Sequence, residues 1–368
     1  MNPSTSAHSI PIVLVTGIND ATMKATTAVL QWDCPNTVVV RHEIDVHSSR
    51  LIRIVSDNSG ILENVYLDLE HACIPCAIRE DIIPTLTRLT HTNTWESIIT
   101  HLPVSADAQQ ICRVAHWDSS LELNISSVVV AVDNATLTTD LRGSDTLQDR
   151  DIHCSHEDER GVAEVLCGLV EHADLIALAE NAEATEDTTT WDFLRALPRP
   201  EVPIVRGLEN LQAQQLVEAA HDHKASEAWI AHVRKARHDA LVGGESWVLD
   251  FCSDKPFHPE RLLNNIERLG THDFRARGCF WVPSRPDAAC MWDGAGGQLS
   301  IGTWGTWKNK RPFTRICVTG TGAGKEELRQ AFEDSLLSDV EEVTLSARWG
   351  TESDGLEPWL GSMWEETY

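Results

Sequence analysis

Along the first half of the chain, short unbroken apolar runs alternate with longer mixed segments. Ile10–Gly17 (IPIVLVTG) ends in glycine, the pattern of a strand buried on both faces and feeding a turn, and a helix is expected after it through Ala21–Leu30. Further apolar runs at Val38–Val40, Ile98–Ile99, Val128–Val132, Leu175–Leu178 and Val202–Val205 are spaced widely enough for crossover helices. Val162–His172 carries apolar residues at 162, 165, 166, 169 and 170, a helical stripe that directly precedes the strand at Leu175. The pattern predicts an α/β domain over residues 10–210, with a parallel sheet.

The pattern then changes. Residues 211–244 are polar and helix-prone up to Gly243-Gly244 and read as a helical linker. Residues 245–345 predict a smaller α+β domain, with strands at Ser246–Phe251, Gly278–Val282, Gln298–Ile301 and Arg315–Thr319 and helices at Pro259–Leu269 and Glu326–Leu337. Residues 346–368 form an acidic, tryptophan-containing tail expected to dock or bind. Most of the 13 tryptophans lie in this last third.

Charge narrows the partners. Among 368 residues, 30 Lys and Arg face 56 Asp and Glu, a net charge of −26, which argues against a direct, nonspecific hold on nucleic acid or anionic lipid. The local cluster Lys308-Asn309-Lys310-Arg311 is the exception. No apolar run approaches the roughly 18 residues of a membrane span. The opening MNPSTSAHSI has no secretory pattern, so the cytoplasm is the expected compartment. The ten cysteines form no small disulfide framework.

A first strand ending in glycine and followed by Lys and Thr invites a phosphate-loop reading, with Gly17, Lys24, Thr26 and Thr27 as nucleotide-binding candidates. The spacing is degenerate. With G-x-x-x-x-G-K-[ST] laid on Gly17, Thr22 takes the second glycine, Met23 the lysine and Lys24 the magnesium-binding hydroxyl. Gly320-Thr321-Gly322-Ala323-Gly324-Lys325 fails the same spacing and reads as a glycine turn between strand and helix.

Cys73-Ile74-Pro75-Cys76 carries more information. Two thiols three apart at a helix start make half of a tetrahedral zinc site or a redox pair, with the helix's positive end expected to favour thiolate. No second C-x-x-C exists, so further ligands must come from elsewhere; His71, Glu43, His42 and His47 are the candidates. His153-Cys154-Ser155-His156 and His221-Asp222-His223 also have chelating spacing, but lie in polar segments where such clusters are commonly incidental.

These residues together resemble the CobW family of metal-linked GTPases. The likeness runs from about Ile10 to Asp339 through the TG turn, CIPCAIREDI, VVVAVD, AEVLCGLVEHADLIAL, KPFHPERL, RARGCFWVPSRPD and WDGAGGQLSIGTWGTW. It implies a P-loop GTPase-like parallel sheet with helices on both faces, then a smaller α+β CobW C-terminal domain, with zinc as the implied metal. The family's C-x-C-C motif binds a transition metal; here Pro75 replaces the middle cysteine. Its E-T-[ST]-G aligns with Thr100-His101-Leu102-Pro103 and its guanine-reading N-K-x-D with Ala179-Glu180-Asn181-Ala182. Those losses leave GTP and magnesium without a visible basis and no catalytic residue to name.

The same departures are similar to an actinobacterial branch in which a CobW-like protein made during zinc shortage recruits a ribosome-hibernation factor to ribosomes. That likeness implies a pseudo-GTPase adaptor with the hibernation factor and the ribosome as partners. The wider family instead implies a metallochaperone or GTPase for metal delivery, and a zinc-binding sensor without a ribosomal role is the third reading. With a charge of −26, ribosome attachment is expected through a basic protein partner or the Lys308–Arg311 cluster.

Overall fold

A computed structural model describes residues 9–69, 71, 73–92, 94–181, 187–234, 242–270, 272–344 and 353–362. The first sheet has eight strands: β1 (Pro11–Gly17), β2 (Thr37–Asp45), β3 (Arg50–Asp57), β4 (Gly60–Asp68), β5 (Ser97–His101), β6 (Asn124–Asp133), β7 (Leu175–Ala179) and β8 (Ile204–Arg206), in the order β4-β3-β2-β5-β1-β6-β7-β8. From β2 to β8 every neighbouring pair in that order is parallel. The apolar run of β1 is explained by its two buried faces. Ile12 and Leu14 pack into one core with Val38, Ile98 and Val128, and Val13 and Val15 into another with Met23 and Leu30 of the helix Asp20–Asp33.

The sequence pattern does not announce the hairpin β3–β4, which extends the sheet antiparallel beyond β2. Only Leu51 and Val55 of β3 are buried and β4 is mostly exposed, so neither forms an unbroken apolar run.

The stretch expected to be a linker is two short helices, Ala213–Glu218 and His223–Ile230. Leu211, Ala213 and Leu216 complete the core on the Val13–Val15 face, Ser127 Oγ donates to Leu216 O at 2.8 Å, and Trp229 Nε1 donates to Leu197 O at 3.0 Å. These contacts make 211–230 part of the first domain rather than a free connection. The rest of that stretch includes residues 235–241, outside the described residues.

The second sheet is antiparallel, in the order β12-β11-β10-β13-β9: β9 (Ser246–Ser253), β10 (Arg275–Phe280), β11 (Ala288–Ala295), β12 (Gln298–Thr306) and β13 (Thr314–Thr321). The sequence pattern lacks β11. Helices Pro259–Gly270 and Lys325–Ser335 cover one face, where Phe251, Phe257, Phe280, Trp292 and Phe332 form the core. Gly324, at φ +106°, ends the glycine turn that joins β13 to its helix.

In the tail, residues 353–362 dock on this domain. Asp354 accepts from Ser284 Oγ at 2.7 Å and Arg285 Nε at 2.9 Å, and Leu356 is fully buried. Trp349 and Trp364 lie outside the described residues. The domains meet where the β11–β12 turn rests on the helix Val162–His172. A Cβ on Gly296 would come within 2.6 Å of the Ala163 Cβ, and Gln298 donates to Ser144 O at 3.0 Å. Among the described residues no helix is long and apolar enough to cross a membrane.

Candidate functional site

The parallel strands aim the C-terminal ends of β1, β2 and β5 at one cleft of about 370 Å³, lined by Asp20, Lys24, His42, Glu43, His101 and Cys154 among others. In an open parallel sheet this end is where ligands bind. The local chain decides what kind.

Only Ile18 and Asn19 separate β1 from its helix. Asn19 is extended, at φ −121° and ψ 107°, and its side-chain oxygen accepts from Thr22 N at 3.1 Å while its carbonyl accepts from Met23 N at 3.0 Å. Its amide reaches Asp133 at 3.3 Å. One of the helix-start amides that would face a phosphate, Thr22 N, is therefore already capped, and Asp20 adds negative charge to the first turn. Gly17 is required by packing: a Cβ there would meet Ala131 O at 2.6 Å. Ser105 N donates to Gly17 O at 2.8 Å, laying the segment after β5 across the strand end.

The remaining nucleotide candidates are engaged too. Lys24 Nζ sits 2.5 Å from Asp20 and 3.3 Å from Glu43, and the Asp20 hydrogen bond, against some burial, raises its pKa. Thr26 Oγ1 donates to Thr22 O at 2.9 Å, inside the helix. Thr27 Oγ1 lies 3.2 Å from His101 Nδ1, and burial brings the His101 imidazole down to about 4. The residues present do not fit a triphosphate with its magnesium: the lysine is neutralised by two carboxylates, and neither threonine hydroxyl is free. At the aligned guanine position Glu180 pairs with Arg206 at 2.6 Å; Ala182 lies outside the described residues.

Cys73 caps the short helix Ile74–Ala77, with Pro75 inside its first turn. Cys73 is partly exposed and Cys76 buried. The Cys76 thiol is raised, first by burial and then by its hydrogen bond with Cys73, while the His71 backbone and Arg79 act the other way. The expected thiolate-favouring effect of the helix start is thus outweighed at Cys76. Ile74 N hydrogen-bonds the buried Cys154 thiol, which burial and Asp158, 3.0 Å away, push up to about 11. Cys154 therefore adjoins the C-x-x-C helix, a proximity that the H-C-x-H spacing at 153–156 does not convey.

The candidate ligands His42 and Glu43 reach the expected end of the sheet but have other work there. His42 Nε2 lies 2.8 Å from Asp81, which also binds Arg53 and accepts from Thr85 Oγ1 at 3.3 Å. This buried group ties the turn Ile78–Ile82, downstream of the cysteines, to β2. Glu43 bridges Lys24 and Arg41, the latter at 3.1 Å. His71 is exposed, and His47 lines the cleft. Among the described residues, none of these gathers with Cys73 and Cys76 into a group of three within ligand distance. The pair alone supplies the soft donors that zinc favours.

A mostly parallel sheet joined to an antiparallel α+β domain, with a C-x-x-C helix beside the strand ends, defines the architecture. Residues 245–336 match the family model described as the cobalamin synthesis protein cobW C-terminal domain. The chain is 27% identical over 395 aligned positions to a Mycobacterium tuberculosis protein named a zinc chaperone, covering 95% of this chain and 93% of that one. It is 26% identical over 260 positions to the zinc-regulated GTPase metalloprotein activator 1 of Dictyostelium discoideum, covering 66% of this chain and 54% of the relative. The crystal structure of the Zn(II)-bound YjiA GTPase from E. coli aligns with 15% identity and a TM-score of 0.37, over 91% of this chain and 99% of that one. Residues 245–336 are thus a cobW C-terminal domain, and the chain as a whole is similar to relatives named for zinc.

Proposed function

We propose that this protein is a CobW-type zinc metallochaperone that takes zinc at Cys73 and Cys76 and works by binding and release, without GTP turnover. The observation that carries the reading is the pairing of a C-x-x-C helix, whose Cys73 is partly exposed, with an altered phosphate loop in which Asn19 caps the helix and Asp20 and Glu43 hold Lys24. The names of the mycobacterial and Dictyostelium relatives support the choice of zinc. The test is GTP turnover with magnesium and zinc, alongside zinc stoichiometry by dialysis. The expected result is no turnover that depends on Lys24, with zinc lost from the Cys73→Ser/Cys76→Ser variant. Robust turnover abolished by Lys24→Ala would overturn the binding-only reading, and unchanged stoichiometry would move the zinc site elsewhere.

The same altered phosphate loop favours a second reading, an adaptor that places a ribosome-hibernation factor on ribosomes under zinc limitation. A scaffold that keeps the sheet while losing its phosphate-binding residues is suited to recognising another protein. The charge of −26 directs it to a basic protein partner rather than to rRNA. Pull-down from zinc-depleted cells tests it: recovery of neither ribosomes nor a hibernation factor counts against the adaptor.

A further inference from the structure

Three side chains that the sequence keeps far apart converge on the other side of the first domain. Cys112 lies on the helix Gln109–Trp117, His172 is the last residue of Val162–His172, and His221 sits between the two short helices that follow β8. A donor atom from each lies within 4.8 Å of the other two. Cys112 and His172 are each 2% exposed, and the side chain of His221 is 3% exposed.

The polar atoms of this cluster are incompletely used. Neither ring nitrogen of His172 has a hydrogen-bond partner, and neither does Nε2 of His221. A buried imidazole without partners carries an uncompensated desolvation cost, and such groups call for a physical reason. His221 is also oriented. Its Nδ1 lies 2.7 Å from Asp174 Oδ2, while Asp174 accepts from Val128 N at 2.9 Å and from Arg199 Nη2 at 2.8 Å. A carboxylate on Nδ1 fixes the tautomer that leaves Nε2 as a lone-pair donor, the arrangement that supports metal-bound histidines.

From this geometry we infer that Cys112, His172 and His221 form a second site for zinc or a similar borderline-soft divalent cation, distinct from Cys73–Cys76, with Asp174 as the positioning residue. One thiolate and two imidazoles match the donor preference of Zn²⁺. Tetrahedral bonds of about 2.0–2.3 Å require the three donors to close to roughly 3.5 Å of one another, a contraction within reach of small side-chain rotations. On binding, the Cys112 S–H bond breaks, its proton leaves to solvent and its electron pair binds the metal. Of the three, His172 also lines a cleft of about 220 Å³ between the domains, beside Glu227 and His232.

The test uses the full chain with Cys73→Ser/Cys76→Ser as background, so that its outcome is independent of the metallochaperone reading. Cobalt(II) is the spectroscopic probe and zinc the competitor. One equivalent of cobalt should bind with tetrahedral d–d bands and a thiolate-to-cobalt charge-transfer band that zinc abolishes. Adding Cys112→Ser should remove the charge-transfer band, and Asp174→Asn should weaken binding about 10–100-fold while keeping that band. Should Cys112→Ser fail to fold by circular dichroism, His221→Gln gives the same readout, a loss of the tetrahedral spectrum. A background protein with no thiolate charge-transfer band, or one whose band survives both Cys112→Ser and His221→Gln, would overturn the assignment.

Discussion

Arg275 on β10 grips Glu171 near the end of the helix Val162–His172 with two parallel hydrogen bonds, Nε to Oε1 and Nη2 to Oε2, both 3.0 Å. The pair joins the two domains and is buried on both sides. Arg277 adds a third bond to Glu171 at 2.9 Å, and Arg275 also binds Asp293, which lies 2.8 Å from His232.

Removing one partner from such a group strands the other charges in a dry interface. Glu171→Ala is expected to destabilise the protein by about 3–5 kcal/mol. Urea denaturation checks this; a loss below about 1 kcal/mol would mean that the interface reopens to water.

The Asn19 side chain caps Thr22 N, an amide that a phosphate would otherwise meet. Asn19→Ala should cost about 0.5–2 kcal/mol as a lost N-cap, measured by thermal melting. Asn19→Gly should cost less and still yield no GTP turnover, since Asp20 and Glu43 continue to hold Lys24. Turnover in that variant would show the cap to be the sole barrier.

His101 sets a pH dependence. Burial brings its pKa from 6.5 to about 4, with Asp20 opposing and Arg41 and Lys24 assisting. The folded chain therefore keeps the ring neutral while the unfolded chain protonates it below 6.5. Stability should fall as pH drops from about 6.5 to about 4 and then level off for this group, a loss of about 3 kcal/mol in total. His101→Gln should flatten that part of the stability profile, and an unchanged slope would show that other groups set it.

Cysteine accessibility gives a direct test of the zinc pair. Cys252 is exposed, Cys73 partly exposed, and the other eight thiols are buried. Brief alkylation of the native protein should label Cys252 first and Cys73 next, as read by peptide mass spectrometry. Zinc should protect Cys73 but not Cys252; equal labelling of Cys73 with and without zinc would exclude it as a ligand.

The parts legible in the sequence are those where burial is continuous. The runs of β1, β6 and β7 are apolar because neighbours cover both faces, and the stripe of Val162–His172 appears because one helical face fills a core. The hairpin β3–β4 and strand β11 escape notice because their partly exposed faces break the runs. At the strand ends, the altered motif around Gly17 indicates a poor phosphate loop. It does not reveal that Asn19 would cap the helix or that Asp20 and Glu43 would share Lys24. Cys112, His172 and His221 come from three elements and share no spacing, so only the fold brings them together. His42 illustrates the reverse: its position at the sheet end is foreseeable from the strand, but its commitment to Asp81 depends on how the turn after the cysteines packs.

The two-residue connection Ile18-Asn19 bears on how such a molecule would be timed. A protein that hydrolyses a nucleotide owns a clock, because an irreversible chemical step decides when it lets go. With Asn19 capping the helix start and Lys24 held by carboxylates, the proposed binding-only mechanism has no such clock, and its occupancy would rise and fall reversibly with free zinc and with the abundance of whatever it meets. Release would then be a matter of competition, and a stronger zinc acceptor would be sufficient to empty it.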